Sequence, residues 1–194
     1  MTDAAAALRA GEPVILPTDT VYGLCAAAHL PGPTERLYCL KGRDPSQPSA
    51  LLAADLDTLF ECVPELHGRG ERIARALLPG AYTLILPNPA RRFPWLTGSI
   101  PDAIGVRVAN LPDAAAPVLA QIGAVVATSA NRPGEPEPRR VEDIPREFRD
   151  AAGAVVDAGE LPGRSSTVID FTGPEPRVLR KGAGSVAKAL SALA

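Results

Sequence analysis

The stretch from Val14 to Ala26 limits the possible folds of this chain more than any other. The apolar run Val14-Ile15-Leu16 predicts a buried strand that ends at Pro17. Thr18-Asp19-Thr20 then places three polar side chains directly after that strand, and Val21 to Ala26 is apolar again, so the chain returns at once to the interior. Polar groups between two buried runs either face a ligand from a rigid support or form a turn that caps its own backbone. These residues alone leave both interpretations open.

Short apolar runs and amphipathic segments alternate along the rest of the 194 residues and predict one α/β domain, 1–194. Further strands are predicted at 49–53, 81–87, 104–108, 124–127, 154–157, 168–171 and 178–180. Helices are predicted at 34–40, 55–60, 69–78, 112–122 and 184–194, the first with Thr34 as its N-cap. Only 4% of the residues are aromatic, so the core must consist mainly of aliphatic side chains.

Polar residues also follow the predicted strand at 124–127, where the sequence reads Thr128-Ser129-Ala130-Asn131. Ligands of open α/β sheets lie beyond strand ends, so this segment and Thr18-Asp19-Thr20 are candidates for one binding site. Arg107 interrupts the apolar strand at 104–108. Because an unpaired buried guanidinium is costly, Arg107 must either pair with a carboxylate of the protein or await an anionic ligand.

Two cations, Lys41 and Arg43, stand one residue apart after the helix at 34–40. They could clamp a polyanion, with lysine as a mobile point charge and arginine as a bidentate fork. They could equally be a solvated helix C-terminus, where the helix dipole favours cations.

Two irregular stretches also contain arginines. Arg91-Arg92 precedes Trp95, a pattern that fits either stacking on a base or a loop that its aromatic ring attaches to the body. Residues 132–145 are rich in proline and arginine and are predicted to be a mobile linker or a lid. His29 is predicted to be exposed rather than catalytic.

Composition argues against several classes of protein. The net charge of −2 does not indicate nucleic acid or an acidic surface as a partner. Cys25, Cys39 and Cys62 lack C-x-x-C spacing and histidines at metal-ligand intervals, which argues against structural zinc and a disulfide framework. No apolar run approaches the roughly 18 residues of a membrane span, and the N-terminus lacks the pattern of a signal peptide. We therefore expect a cytoplasmic protein with reduced thiols and no membrane partner.

Short motifs along residues 13–182 resemble, in their order, those of the YrdC/TsaC family of threonylcarbamoyl-AMP synthases in its short single-domain form. They are Pro17-Thr18-Asp19-Thr20-Val21-Tyr22-Gly23-Leu24, Lys41-x-Arg43, Pro79-Gly80-x-x-Thr83, Val106-Arg107, Ser129-x-Asn131, Ser166-Thr167 and Leu179-Arg180-x-Gly182. Each motif is weak by itself, but the ordered set is specific. It favours ligand binding over the alternative interpretations of the polar segments and cations.

The resemblance implies an open, twisted, mixed α/β sheet with flanking helices and a deep basic cavity on one face. It implies a nucleotidyltransferase that condenses L-threonine, bicarbonate and ATP, with Mg²⁺, into threonylcarbamoyl-AMP and pyrophosphate. Partner proteins then transfer the threonylcarbamoyl group to the adenosine next to the anticodon of tRNA. No protein nucleophile is required, because the carbamate has only to be held in line with the α-phosphorus.

The resemblance also assigns roles to individual residues. Lys41 and Arg43 match the catalytic K-x-R element at the triphosphate, and the guanidinium of Arg107 suits the threonine carboxylate. Leu52 stands where many relatives have a histidine. ATP is expected to contact Lys41, Arg43, Gln47, Ser129, Asn131 and Arg180, and threonine is expected to contact Thr20, Arg107 and Ser166. No metal ligands are assigned.

Two other functions are compatible with parts of this pattern. A basic cavity could accept the phosphates of double-stranded RNA or tRNA, which would make the chain a binding module without catalysis. Related enzymes that use carbamoyl phosphate contain this domain together with zinc-finger-like cysteines, and this sequence has no such cysteines.

Overall fold

The computed structural model describes residues 3–192, which form a nine-stranded mixed sheet and its flanking helices. The strands are β1 (Val14–Pro17), β2 (Tyr22–Ala27), β3 (Ala50–Ala53), β4 (Tyr82–Pro87), β5 (Ala103–Val108), β6 (Ala124–Ser129), β7 (Ala154–Val155), β8 (Thr167–Asp170) and β9 (Arg177–Arg180). Every predicted strand is present. β6 continues two residues further than predicted, so Thr128 and Ser129 belong to the strand instead of following it.

The helices are α1 (Ala4–Arg9), α2 (Pro31–Lys41), α3 (Leu56–Cys62), α4 (Arg69–Leu77), α5 (Pro94–Thr97), α6 (Ala116–Ile122), α7 (Arg146–Ala151) and α8 (Val186–Ser191). The prediction that Thr34 caps α2 is wrong. The helix begins at Pro31, since a proline in the first turn loses no intrahelical hydrogen bond, and Thr34 is buried. The predicted end of α8, at 193–194, lies outside the described residues. Within residues 3–192, no helix is long and apolar enough to cross a membrane.

The strand order is β7-β1-β2-β6-β3-β5-β4-β8-β9. β1 and β7, β3 and β5, and β4 and β8 are parallel pairs, and the other neighbours are antiparallel. One face of the sheet carries large apolar side chains such as Tyr22, Leu51 and Leu84. These are fully buried in the main core together with residues of α2, α3 and α4. That face is therefore the interior of the protein.

The opposite face is covered only in part. Leu8 of α1 and Leu119 of α6 pack on it near one end of the sheet. Further along, Ala127, Ala50 and Gly105 stand in register across β6, β3 and β5. Residues in register share one face, so two alanines and a glycine occur where larger side chains would fill the space. The sheet consequently has a hollow in the middle of this face.

The phenol of Tyr22 fixes the loop 157–165 beside this hollow. Its hydroxyl lies 2.8 Å from Asp157 Oδ1 and 2.8 Å from the Gly159 carbonyl oxygen, and it accepts a hydrogen bond from the Ala158 N–H at 3.1 Å. Burial raises the pKa of Tyr22 to about 12, so the phenol stays neutral near pH 7.

Tyr22→Phe should lower the free energy of unfolding by about 1–3 kcal/mol, because the hydroxyl that donates one hydrogen bond to this loop and accepts another is lost, and each such bond contributes about 0.5–1.5 kcal/mol. Urea denaturation measures that loss, and amide exchange at Ala158 and Gly159 should become faster. Tyr38→Phe is a matched control, since the Tyr38 hydroxyl makes a longer hydrogen bond, 3.4 Å, to Trp95 O. Equal losses in the two variants would contradict the role of Tyr22 as a loop anchor.

Candidate active site

The hollow is a cavity of about 660 Å³. Its volume falls within the range of about 300–1,000 Å³ that is common for small-molecule sites. All residues predicted at ATP line it: Lys41, Arg43, Gln47, Ser129, Asn131 and Arg180. Of the residues predicted at threonine, Arg107 and Ser166 line it, whereas Thr20 is fully buried. The structure thus brings widely separated parts of the chain to one place.

Lys41 is the last residue of α2 and is only 6% exposed. Its Nζ donates hydrogen bonds to the carbonyl oxygens of Ser129 and Asn131, the second at 2.8 Å, and lies 3.2 Å from Asn131 Oδ1. The Ser129 hydroxyl donates to Asn131 Oδ1 at 2.6 Å. The end of a helix and the end of β6 therefore build one cationic cluster, of Lys41, Ser129 and Asn131.

The charge of Lys41 is held by neutral acceptors. Burial, and to a smaller extent the positive charge of Arg43, lower the pKa of Lys41 to about 8, and the carboxylate of Glu137 opposes them. Within residues 3–192, Lys41 forms no ion pair. A partly dehydrated ammonium without a counterion is suited to an anionic ligand.

Arg43 and Gln47 lie at the rim near this cluster. Arg43 is half-buried, and its Nη2 donates to the carbonyl oxygen of Pro48. Its Nε has no hydrogen-bond partner among residues 3–192, and burial lowers the pKa of the guanidinium. Gly98 supports this rim, because at φ 55 a Cβ would lie 2.2 Å from the Ser46 carbonyl oxygen.

Arg107 enters the cavity from β5 and is 9% exposed. Its Nη2 forms an ion pair with Asp19 Oδ1 and donates to Thr20 Oγ1 at 2.8 Å. Thr20 in turn lies 2.9 Å from Thr18 Oγ1. Burial lowers the pKa of Arg107 and Asp19 opposes that effect, while the nearby charge of Arg180 lowers the pKa further. The sequence left open whether Arg107 pairs with a carboxylate of the protein or awaits an anionic ligand. Arg107 does pair with a carboxylate, that of Asp19, and its side chain also lines the cavity.

Ser166, one residue before β8, lines the same cavity as Arg107. Its hydroxyl is 2.8 Å from Thr83 Oγ1, and it accepts a hydrogen bond from Arg180 Nη2 at 3.2 Å. Arg180 Nε also donates to the Ser166 carbonyl oxygen at 3.1 Å. Gly182 permits this approach, because a Cβ there would lie 2.2 Å from the Ser165 carbonyl oxygen. The residue that precedes β8 and the last residue of β9 therefore place one hydroxyl and one guanidinium in the cavity that Arg107 lines.

Residues 132–145 form one wall of the cavity. Glu137 accepts hydrogen bonds from the Ser165 N–H, at 2.9 Å, and from the Ser165 hydroxyl. Arg139 and Arg140 pair with Glu160 at 2.6 and 2.5 Å. The segment is thus attached to the loop 157–165 in this structure, and its opening as a lid stays a prediction.

The segment that contains Arg91, Arg92 and Trp95 was predicted either to stack on a base or to be a loop attached to the body by its aromatic ring. The structure shows the attached loop. Trp95 Nε1 donates to the Ala28 carbonyl oxygen at 3.0 Å, and Arg92 pairs with Glu65 at 2.7 Å. The ring therefore contacts the protein itself. His29 is exposed, as predicted.

Three residues at or beside the cavity were not predicted from the sequence as part of a site. Asp19 pairs with Arg107, Thr83 contacts Ser166, and Glu137 lines the cavity with its carboxylate. Thr83 had a signal, since it belongs to the Pro79-Gly80-x-x-Thr83 motif. Asp19 had a weaker one, because it stands between two threonines of the first polar segment. Glu137 had none, because its stretch reads as a charged linker.

Comparison with known proteins assigns the chain to a family. The family model for Sua5, YciO and YrdC, described as "Telomere recombination", matches residues 6–182. The threonylcarbamoyl-AMP synthase of Halorhodospira halophila is 37% identical over 161 residues, which cover 83% of this chain and 81% of that protein.

Two solved structures share the fold. Pyrococcus abyssi Sua5, complexed with L-threonine, matches with a TM-score of 0.88 and 30% identity, over 97% of this chain and 56% of that one. Escherichia coli YciO matches with a TM-score of 0.80 and 26% identity, over 96% of this chain and 91% of that one. They confirm the predicted twisted mixed α/β sheet with flanking helices. This chain therefore belongs to the Sua5/YciO/YrdC family.

Proposed function

We propose that this chain is a threonylcarbamoyl-AMP synthase, which condenses L-threonine, bicarbonate and ATP and releases pyrophosphate. The observation that carries the proposal is the meeting of two kinds of cationic site in one cavity. Lys41 and Arg43 lie at one end without ion-pair partners among residues 3–192, and Arg107 with Ser166 lies across the same floor. The Halorhodospira relative is named for this activity, and Pyrococcus Sua5 was solved with L-threonine.

The two ends suit different anions. A triphosphate carries about four negative charges, which the mobile ammonium of Lys41 and the fork of Arg43 offset electrostatically. The Ser129 and Asn131 side chains, already bonded to Lys41, complete this end. An amino-acid carboxylate carries one charge and prefers the planar guanidinium of Arg107. In this arrangement Thr20 supports threonine binding by holding Arg107, since its hydroxyl contacts the guanidinium.

Catalysis in this proposal is positioning. The carbamate formed on the threonine nitrogen attacks the α-phosphorus of ATP, and the bond between that phosphorus and the bridging oxygen breaks to release pyrophosphate. The cavity holds the two substrates in line, and cations at the phosphate end stabilise the charge of the departing pyrophosphate. Enclosure between the sheet and the wall at 132–145 limits competing attack by water.

Mg²⁺ is proposed to arrive with ATP, as part of the substrate. Mg²⁺ sites of this kind use one or two carboxylates together with substrate phosphates. Asp170 and Glu137 are the carboxylates that line the cavity in the described part of the chain, and their oxygens are already bonded to Thr172, Arg177 and Ser165.

The product is proposed to pass, in the cytoplasm, to proteins that transfer the threonylcarbamoyl group to tRNA.

Mass detection of the adenylate tests the proposal directly. Protein, ATP, Mg²⁺, bicarbonate and L-threonine together should yield threonylcarbamoyl-AMP and an equal amount of pyrophosphate. Leaving out threonine or bicarbonate should abolish both products. Pyrophosphate release that does not depend on threonine would contradict the proposed reaction.

The RNA-binding module receives less support. Exposed arginines of the wall are paired with acids, as Arg132 with Glu147 and Arg140 with Glu160 show. Such pairs reduce the positive field that a phosphate backbone requires. Relatives named as synthases also favour the enzyme over a module without catalysis.

The affinity for ATP should fall as pH rises above about 8. The protonated form of Lys41 binds the polyanion, and the pKa of Lys41 in the free protein is about 8. Deprotonation above that pH removes the charge, so the Kd should increase by up to about tenfold per pH unit. Isothermal titration with non-hydrolysable MgATP between pH 7 and 9.5 measures this. Lys41→Arg stays charged and should not show the increase; an equal increase in that variant would exclude Lys41 as its cause.

A further inference from the structure

Asp19 lies next to the proposed threonine site without lining the cavity. It is in the turn between β1 and β2, and its side chain is 12% exposed. One carboxylate oxygen pairs with Arg107 Nη2, and the other accepts a hydrogen bond from the Asn110 N–H at 3.2 Å. Both oxygens are therefore held by groups of the protein. The negative charge lies behind the guanidinium, away from the ligand space.

The contacts leave only part of the guanidinium of Arg107 for a ligand. Asp19 and Thr20 both take Nη2, whereas Nε has no hydrogen-bond partner among residues 3–192. Leu52 on β3 stands in register with Arg107 on one side, and on the other side Leu84 of β4 pairs with the adjacent Val106. A guanidinium fixed from behind and flanked on both sides keeps one orientation before any ligand arrives, which lowers the entropy cost of binding.

The pairing also changes the charge that a ligand meets. Arg107 and Asp19 together are close to neutral, whereas Lys41 and Arg43 form no ion pairs within residues 3–192. A polyanion is attracted by net charge, but a carboxylate needs directed N–H groups. The end of the cavity at Lys41 and Arg43 therefore carries net positive charge, whereas the end at Arg107 is close to neutral. This difference directs the triphosphate to the first end and the threonine carboxylate to the second.

We propose that Asp19 is a positioning and specificity residue: it fixes Arg107 for a carboxylate and keeps the phosphate chain away from it. The inference rests on the proposed function, since it assumes that threonine and a triphosphate share the cavity. Without Asp19, Arg107 becomes a mobile, unpaired cation beside Arg180. The triphosphate then competes with threonine for it.

Asp19→Asn tests this, because asparagine keeps the size and one acceptor but removes the charge. L-threonine is titrated into the 194-residue chain by calorimetry, with and without saturating inorganic triphosphate. In the wild type the triphosphate should change the threonine Kd by less than about twofold. In Asp19→Asn the threonine Kd should rise about tenfold, and triphosphate should raise it further in a competitive manner. A merely structural role would lower the melting temperature without producing this competition.

Two further variants keep the test decisive. Asp102→Asn breaks an exposed pair with Arg91 and should leave both titrations unchanged. Thr20→Val removes the second acceptor of Arg107 Nη2 and should shift the threonine Kd in the same direction by a smaller factor, so it replaces Asp19→Asn if that variant does not fold. Folded variants with a threonine Kd within about twofold of the wild type, unaffected by triphosphate, would overturn the role of Asp19. A wild type that binds neither threonine nor triphosphate would instead overturn the proposed function.

Discussion

Lys41→Met is expected to reduce formation of the adenylate by at least about 10²–10³-fold, the usual effect of removing one preorganised charge-stabilising donor. Methionine fills similar space but offers no charge to the triphosphate. The Ser129 and Asn131 oxygens that Lys41 Nζ contacts also lose their donor, so the proposed phosphate-binding end of the cavity loses its organisation as well as its cation. Initial rates of pyrophosphate release, together with the Kd for non-hydrolysable MgATP, measure the effect.

The stability of the same variant relative to the wild type should depend on pH. The pKa of Lys41 is lowered by burial, so the charged form is less favourable in the folded state than in the unfolded state. That destabilisation is fully present below pH 8 and disappears as pH rises past the unfolded value near 10.5. The stability of Lys41→Met relative to the wild type should therefore be highest below pH 8 and fall as the pH rises toward 10.5. Lys188→Met, on the exposed side of α8, is the control and should change neither rate nor melting temperature; wild-type turnover in Lys41→Met would refute the catalytic role.

Arg107→Ala is expected to raise the KM for threonine by about 10–150-fold while the KM for ATP changes much less. Hydrogen bonds to charged groups contribute about 1.5–3 kcal/mol each, and this guanidinium is the proposed partner of the carboxylate. Steady-state kinetics with each substrate varied in turn gives both constants. A larger increase for ATP than for threonine would mean that the two ends of the cavity are assigned in the wrong order.

Loss of Arg107 also leaves the carboxylate of Asp19 without its partner, and an unpaired buried charge destabilises the fold. The double variant Asp19→Asn with Arg107→Ala removes both charges and should recover stability without recovering the affinity for threonine. Arg107→Lys keeps the charge but lacks the planar fork, so it should also bind threonine weakly. Thermal denaturation of the three variants separates the effect on binding from the effect on folding.

The elements of the fold were largely predictable from local pattern. Short apolar runs bounded by proline, glycine and polar residues predicted every strand except β2, where the sequence indicated only a buried run, because burial leaves a direct trace in the sequence. Helix boundaries were less predictable, as the start of α2 at Pro31 instead of Thr34 shows. Threonine is common as an N-cap and proline is common in the first helical turn, so both residues suit a helix start. The helix begins at Pro31, and Thr34 is buried inside it instead of capping its end.

For the candidate site, the residue types and the motif order determined which side chains to consider, and the family resemblance determined their expected partners. Lys41, Ser129 and Asn131 could be named in advance because polar groups at strand and helix ends stand out against apolar neighbours. Only the tertiary structure decided that Thr20 is fully buried, that Asp19 pairs with Arg107, and that the ammonium of Lys41 is partly dehydrated. Asp19 and Arg107 are 88 positions apart, and their contact depends on strand order and register. Periodicity reports which face of a strand is buried, but it carries no information about which distant strand lies beside it.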